Sequence, residues 1–148
     1  MADADYTVAI SVSKSPKEVF DAVNNVRGWW SDNIDGPTDR LGSVFKFHEA
    51  DLHYSTQKIT EFVPGKKVVW HVTESKINFV KNKKEWTGTD IIFDISRKGD
   101  KTELRFTHVG LVPSIECYGD CAGAWKYYVR ESLKRLIETG TGKPTLHN

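Results

Sequence analysis

The sequence predicts an α+β fold in which a curved antiparallel sheet of six to seven strands wraps a long C-terminal helix, with two short helices after the first strand. Three observations carry this expectation. The opening segment alternates with period two, the stretch from Val44 to Leu111 reads as strand, turn, strand throughout, and a helical period takes over after Pro113.

In the opening segment Tyr6, Val8, Ile10 and Val12 alternate with Thr7, Ala9, Ser11 and Ser13, the signature of a strand with one buried face. Ser15-Pro16-Lys17-Glu18 then supplies an N-cap, a proline at the first helical position and an acidic first turn, ahead of Val19, Phe20 and Val23. A short helix is expected there. Asn24 to Gly28 interrupts it, Trp29-Trp30 sets two indoles side by side, and Asp35-Gly36-Pro37 is rich in turn residues. This reads as a helix–helix corner followed by a short strand.

The central meander is expected to hold strands at Val44–His48, Leu52–Phe62, Val68–Ser75, Glu85–Ser96 and Thr102–Val109. They are separated by Glu49-Ala50-Asp51, Pro64-Gly65, a lysine-rich turn near Lys81–Lys84, and Lys98-Gly99-Asp100. Alternation assigns Phe45 and Phe47, then Val68, Trp70 and Val72, then Ile91, Phe93 and Ile95, then Leu104, Phe106 and His108 to the inner face. Between Ser75 and Val80 no register is legible. In the last segment Cys121, Trp125, Tyr128, Ser132, Leu133, Leu136 and Ile137 share one helical stripe, with Asp120 as the expected N-cap and Gly140, Gly142 and Pro144 as the stop. A helix of about 20 residues spans roughly 30 Å, enough to cross a sheet.

The 148 residues suit one domain, with an ordered core from about residue 5 to 140 and a loose tail. With 21 basic and 20 acidic side chains, the formal charge of +1 gives no reason to expect a nucleic-acid partner. MADADYTV has no apolar signal core, and no run of about 18 apolar residues could span a bilayer, so a cytoplasmic protein without stable membrane insertion is expected. Five tryptophans bring wide apolar surface that must either pack or line something.

Only the last helix is long enough to cover one face of such a sheet, so the sheet must curl around it. A curled sheet cannot touch a straight helix along its whole length, and the gap is filled by large side chains or left as a pocket.

The opening strand with Ser15-Pro16-Lys17-Glu18-Val19-Phe20, the Trp29-Trp30 pair, Trp86-Thr87-Gly88-Thr89 before Ile91-Ile92-Phe93, Thr107-His108-Val109-Gly110, and Ala124-Trp125 together resemble the START-like, or SRPBCC, superfamily. The branch they are most similar to is that of the C-terminal domain of the activator of heat shock protein 90 ATPase. The resemblance implies a helix-grip fold with a deep apolar pocket. It also implies a ligand of the lipid, sterol, polyketide or phenolic class, or cyclase-like chemistry in the same pocket. The chain lacks the separate N-terminal domain of the eukaryotic co-chaperone, so strong stimulation of the chaperone ATPase is not expected from it alone.

The expected pocket residues are Trp70, Phe93, Phe106, His108, Trp125 and Tyr128, with His108 and Tyr128 as the polar contacts. The plainer reading of His108 is a histidine hydrogen-bonded to nearby backbone, and Tyr128 is equally readable as core packing with its hydroxyl at the rim. Cys117 and Cys121 share a helical face, but no further ligands stand at zinc spacing, so reduced thiols and no metal are expected. No catalytic motif and no cofactor-binding glycine loop is present, which leaves catalytic residues unassigned and no cofactor expected. An enzyme of cyclase, dehydratase or hydrolase type remains the alternative, and a chaperone-associated module the third reading.

Overall fold

The computed structural model describes residues 4–49 and 53–144. β1 (Tyr6–Val12) leads into α1 (Pro16–Asn24), whose start is fixed by a capping box. Ser15 Oγ accepts from the Glu18 N–H at 3.1 Å, and Glu18 Oε1 accepts from the Ser15 N–H at 3.2 Å. A one-turn helix α2 (Val26–Trp29) and a two-residue strand β2 (Ile34–Asp35) complete the corner.

Five strands follow: β3 (Val44–Glu49), β4 (His53–Val63), β5 (Lys67–Ile77), β6 (Asp90–Lys98) and β7 (Lys101–Val109). The sheet order is β1-β7-β6-β5-β4-β3-β2 and every pairing is antiparallel, with β1 returning to lie beside β7 in the register Tyr6 to His108. Register shifts at Thr56/Gln57 and Ile59/Glu61 in β4 bend the β4–β5 hairpin, the local cause of curvature. The inner-face residues read from alternation on β3, β5, β6 and β7 are all buried.

The strand expected from Glu85 begins instead at Asp90. Glu85 to Thr89 form turns, closed by Thr87 N–H to Lys84 C=O at 3.0 Å and Thr89 N–H to Trp86 C=O at 3.1 Å, with Gly88 at φ +85°. The expected boundary residues Ala50, Asp51 and Leu52 lie outside the described residues.

The C-terminal helix starts at Tyr118, with Cys117 rather than Asp120 at the N-cap. It runs as α3 (Tyr118–Tyr127), a π-helical turn (Tyr128–Leu133) and α4 (Lys134–Thr139), ending at left-handed Gly140. The widened turn holds Ser132, which donates to the Trp29 carbonyl at 2.7 Å and accepts from the Lys143 N–H at 2.8 Å. Those bonds fasten the tail beneath α2. A side chain at Gly142 would collide there with the Gly28 carbonyl oxygen.

Candidate functional site

The site follows from where the strands stop. β5 pairs with β6 only from Lys67 to His71, so among the described residues its far half, up to Ile77, has β4 as its one strand neighbour. Residues 78–89 fold back over this protruding hairpin: the Ile77 N–H donates to the Lys83 carbonyl at 2.7 Å, and the Gly88 N–H to the Val72 carbonyl at 2.8 Å. The Glu85 carboxylate then accepts from the Glu116 and Cys117 N–H groups at 2.9 and 3.1 Å, and the Glu116 carboxylate accepts from the Lys81 N–H at 3.0 Å. Sheet, returning turn and helix are thereby held apart around a cavity of about 380 Å³.

Its walls are aromatic. Trp30 and Phe47 stack at 4.2 Å, Trp86 and Trp125 stack at 5.6 Å, and Trp30 meets Trp125 at 4.9 Å between ring centroids. All four line the cavity, together with Tyr128, Cys121, Ala124 and Phe79, the last 42% exposed at the mouth. The remaining lining residues are polar: Glu49, His53 and Asp120.

His53 is 9% exposed, with its ring edge against Trp86 at 4.3 Å and Phe47 at 5.3 Å, and burial pushes its pKa down to about 4. The imidazole is therefore neutral near pH 7. Among the described residues its Nε2 has no hydrogen-bond partner, nor has the indole N–H of Trp86. Such orphaned atoms cost roughly 1–3 kcal/mol each unless another molecule satisfies them.

His108 lies deeper and is fully committed. Trp125 Nε1–H donates to His108 Nδ1 at 3.1 Å, which leaves the proton on Nε2 to be donated to Thr89 Oγ1 at 2.8 Å. The Thr89 hydroxyl in turn donates to the Trp86 carbonyl at 2.6 Å. Burial, with a smaller effect of His53, pushes the His108 pKa down to about 3. A neutral imidazole with both nitrogens used has nothing left for a ligand. It orients Trp125 and anchors the turn that carries Trp86.

Of the six residues expected at the pocket, Trp125 and Tyr128 line the cavity. Trp70, Phe93, Phe106 and His108 do not, although all are completely buried. Phe93 packs against Trp70 at 4.8 Å and Phe106 at 5.4 Å, and Phe106 against Trp125 at 4.7 Å, so these rings fill the gap where an opening was expected. Trp30, Phe47, Glu49, His53, Phe79, Trp86, Asp120, Cys121 and Ala124 line the cavity without having been assigned to it. Trp30 and Trp86 stood among the tryptophans open to either wall or core, Phe47 was legible as inward-facing and Cys121 as part of the helical stripe, and these are the usable signals.

Cys117 and Cys121 are free and buried. A hydrogen bond to Cys121, burial and the Glu85 carboxylate all push the Cys117 thiol up, away from the thiolate that reacts or binds metal. Among the described residues no group of three or more His, Cys, Asp or Glu side chains could hold a metal ion, and no helix is long and apolar enough to cross a membrane.

A curved antiparallel sheet closed by a C-terminal helix over an apolar cavity is the helix-grip architecture of the START-like, or SRPBCC, superfamily. The profile of the family described as activator of Hsp90 ATPase homolog 1-like protein matches residues 14–138, and the chain belongs to that family. It is similar to the Aha1 dimer of Colwellia psychrerythraea, with 26% identity and a TM-score of 0.75 over 94% of this chain and 99% of that one. DynU16, from the dynemicin biosynthetic locus, shares 16% identity at a TM-score of 0.69, over 97% of this chain and 51% of its own length. Mll3558 of Rhizobium loti shares 17% identity at a TM-score of 0.65, over 87% and 94%. The last two likenesses concern the fold alone. No curated protein matches the sequence.

Proposed function

We propose that the protein binds a small apolar or aromatic ligand, of the lipid, polyketide or phenolic class, in the cavity between the β4–β5 hairpin and the C-terminal helix. The observation that carries this is an aromatic-walled space of about 380 Å³ bordered by a buried, unpaired His53 Nε2. Ligand sites are commonly apolar clefts of about 300–1,000 Å³ with a few convergent polar groups. His53 therefore takes the part that the sequence assigned to His108. The free thiols of Cys117 and Cys121 are in keeping with a reducing, cytoplasmic setting.

Native mass spectrometry of freshly purified protein should reveal a co-purifying small molecule. Saturating the cavity should quench or shift tryptophan emission, because three of the five tryptophans line it. A ligand at about a hundred times its Kd adds about 2.7 kcal/mol to stability and raises Tm by several degrees. A panel of apolar and aromatic compounds that moves neither emission nor Tm would sink the reading.

Family membership favours a second reading, a module that touches a chaperone. The surface to examine is the turn bearing exposed Phe79 beside Lys81, Lys83 and Lys84. Its test is the ATPase rate of heat shock protein 90 with and without the purified chain.

A further inference from the structure

We propose that the preferred ligand carries a protonated amine on an apolar, planar body, with the amine at the mouth beside Glu49 and Asp120 and the body against Trp30, Trp86 and Trp125. The proposal rests on the reading of the cavity as a ligand site and adds the chemical class. Glu49 and Asp120 are the charged side chains that line it, and among the described residues no lysine or arginine does. A carboxylate ligand would meet two like charges and no cation. An amine would meet two opposite charges, with the apolar body left to the rings.

The two acids are differently placed. Glu49, at the end of β3, is half-buried, whereas Asp120, in the first turn of α3, is exposed. Glu49 is screened less by water and salt and should contribute more. His53 adds no opposing charge at the wall, because burial keeps its imidazole neutral, and its unpaired Nε2 offers a hydrogen-bonding site further in. Lys81, Lys83 and Lys84 belong to the turn that bounds the cavity but do not line it, and the Lys83 ammonium is spent on the Asn78 and Val80 carbonyls at 3.2 and 3.4 Å.

Three probes with one body and different heads test this: 1-naphthylmethylamine, 1-naphthylmethanol and 1-naphthoic acid, titrated near neutral pH by tryptophan emission and calorimetry. The amine should bind roughly 10-fold more tightly than the alcohol, the acid should bind more weakly than either, and the amine's advantage should shrink in high salt. Glu49→Gln combined with Asp120→Asn should remove that advantage by weakening the amine far more than the alcohol. Both positions are at least partly exposed, and an unchanged Tm would show that the variant folds. Equal affinity for amine and alcohol, or tighter binding of the acid, overturns the amine proposal while the ligand reading stands. Failure of all three probes to bind overturns both.

Discussion

Where the C-terminal helix faces β6 and β7, the interface holds Ile91, Phe93, Leu104 and Phe106, all completely buried and in ring or side-chain contact. Where the neighbours are β4 and the 78–89 turn, the inward positions are His53, Ser55, Gln57 and Trp86, and a cavity remains. One sheet and one helix thus produce a dry core at one end and an incomplete, polar-edged wall at the other. The chemistry of the inner residues decides which. Apolar side chains gain by closing on one another, at about 25 cal/mol per Å². His53 and Gln57 gain nothing by closing unless they find partners, and His53 Nε2 and Gln57 Oε1 have none among the described residues. Binding capacity lies where the sheet fails to complete its own core.

The largest effect that this contrast predicts is at the dry end. Phe106→Ala should cost about 3–5 kcal/mol, read from urea midpoints, because a fully enclosed ring leaves a void that its neighbours fill only in part. A loss below about 1 kcal/mol would mean that Phe106 already borders open space, and the two ends would no longer differ in kind.

Acid should act next, through both histidines. His53 and His108 have folded pKa values of about 4 and about 3, below the ordinary value near 6.5, so between those limits the unfolded chain binds more protons. Their contribution is fully present above about pH 6.5 and is lost as pH falls toward 4 for His53 and toward 3 for His108. With both groups acting, the loss between pH 6 and pH 5 should be roughly 2 kcal/mol. Denaturation curves at stepped pH check this, and His53→Gln should flatten the slope by about half. An unchanged slope in that variant would mean that the cavity-side histidine is hydrated like a surface one.

The dry end was largely legible in the sequence, because Ile91, Phe93, Ile95, Leu104 and Phe106 recur at every second position, with polar residues between them except at Ile92. The wet end was not. β4 turns His53, Ser55 and Gln57 inward, so its two faces are equally polar and periodicity has nothing to report, while two register shifts blur what remains. The helix start is hidden for a related reason: the carboxylate that holds the amides just ahead of it, those of Glu116 and Cys117, comes from Glu85, more than thirty residues away in sequence. His108 is legible as inward-facing, but only the fold reveals that Trp125 and Thr89 occupy its two nitrogens.

The smallest stability effect belongs to Phe79. It is 42% exposed at the mouth, so Phe79→Ala removes a ring that the folded chain already leaves half in water, and the expected change in stability is within about 0.5 kcal/mol. The same ring lines the cavity, where it faces whatever enters. Truncation should therefore weaken 1-naphthylmethanol by several-fold, mainly through faster dissociation, because the contact is made only after entry. Stability and affinity would then separate at the two ends, with Phe106 carrying the fold and Phe79 the ligand. A Phe79→Ala protein that loses more than about 1 kcal/mol of stability with no change in probe affinity would reverse that assignment, making the mouth part of the core and leaving the cavity without a gatepost.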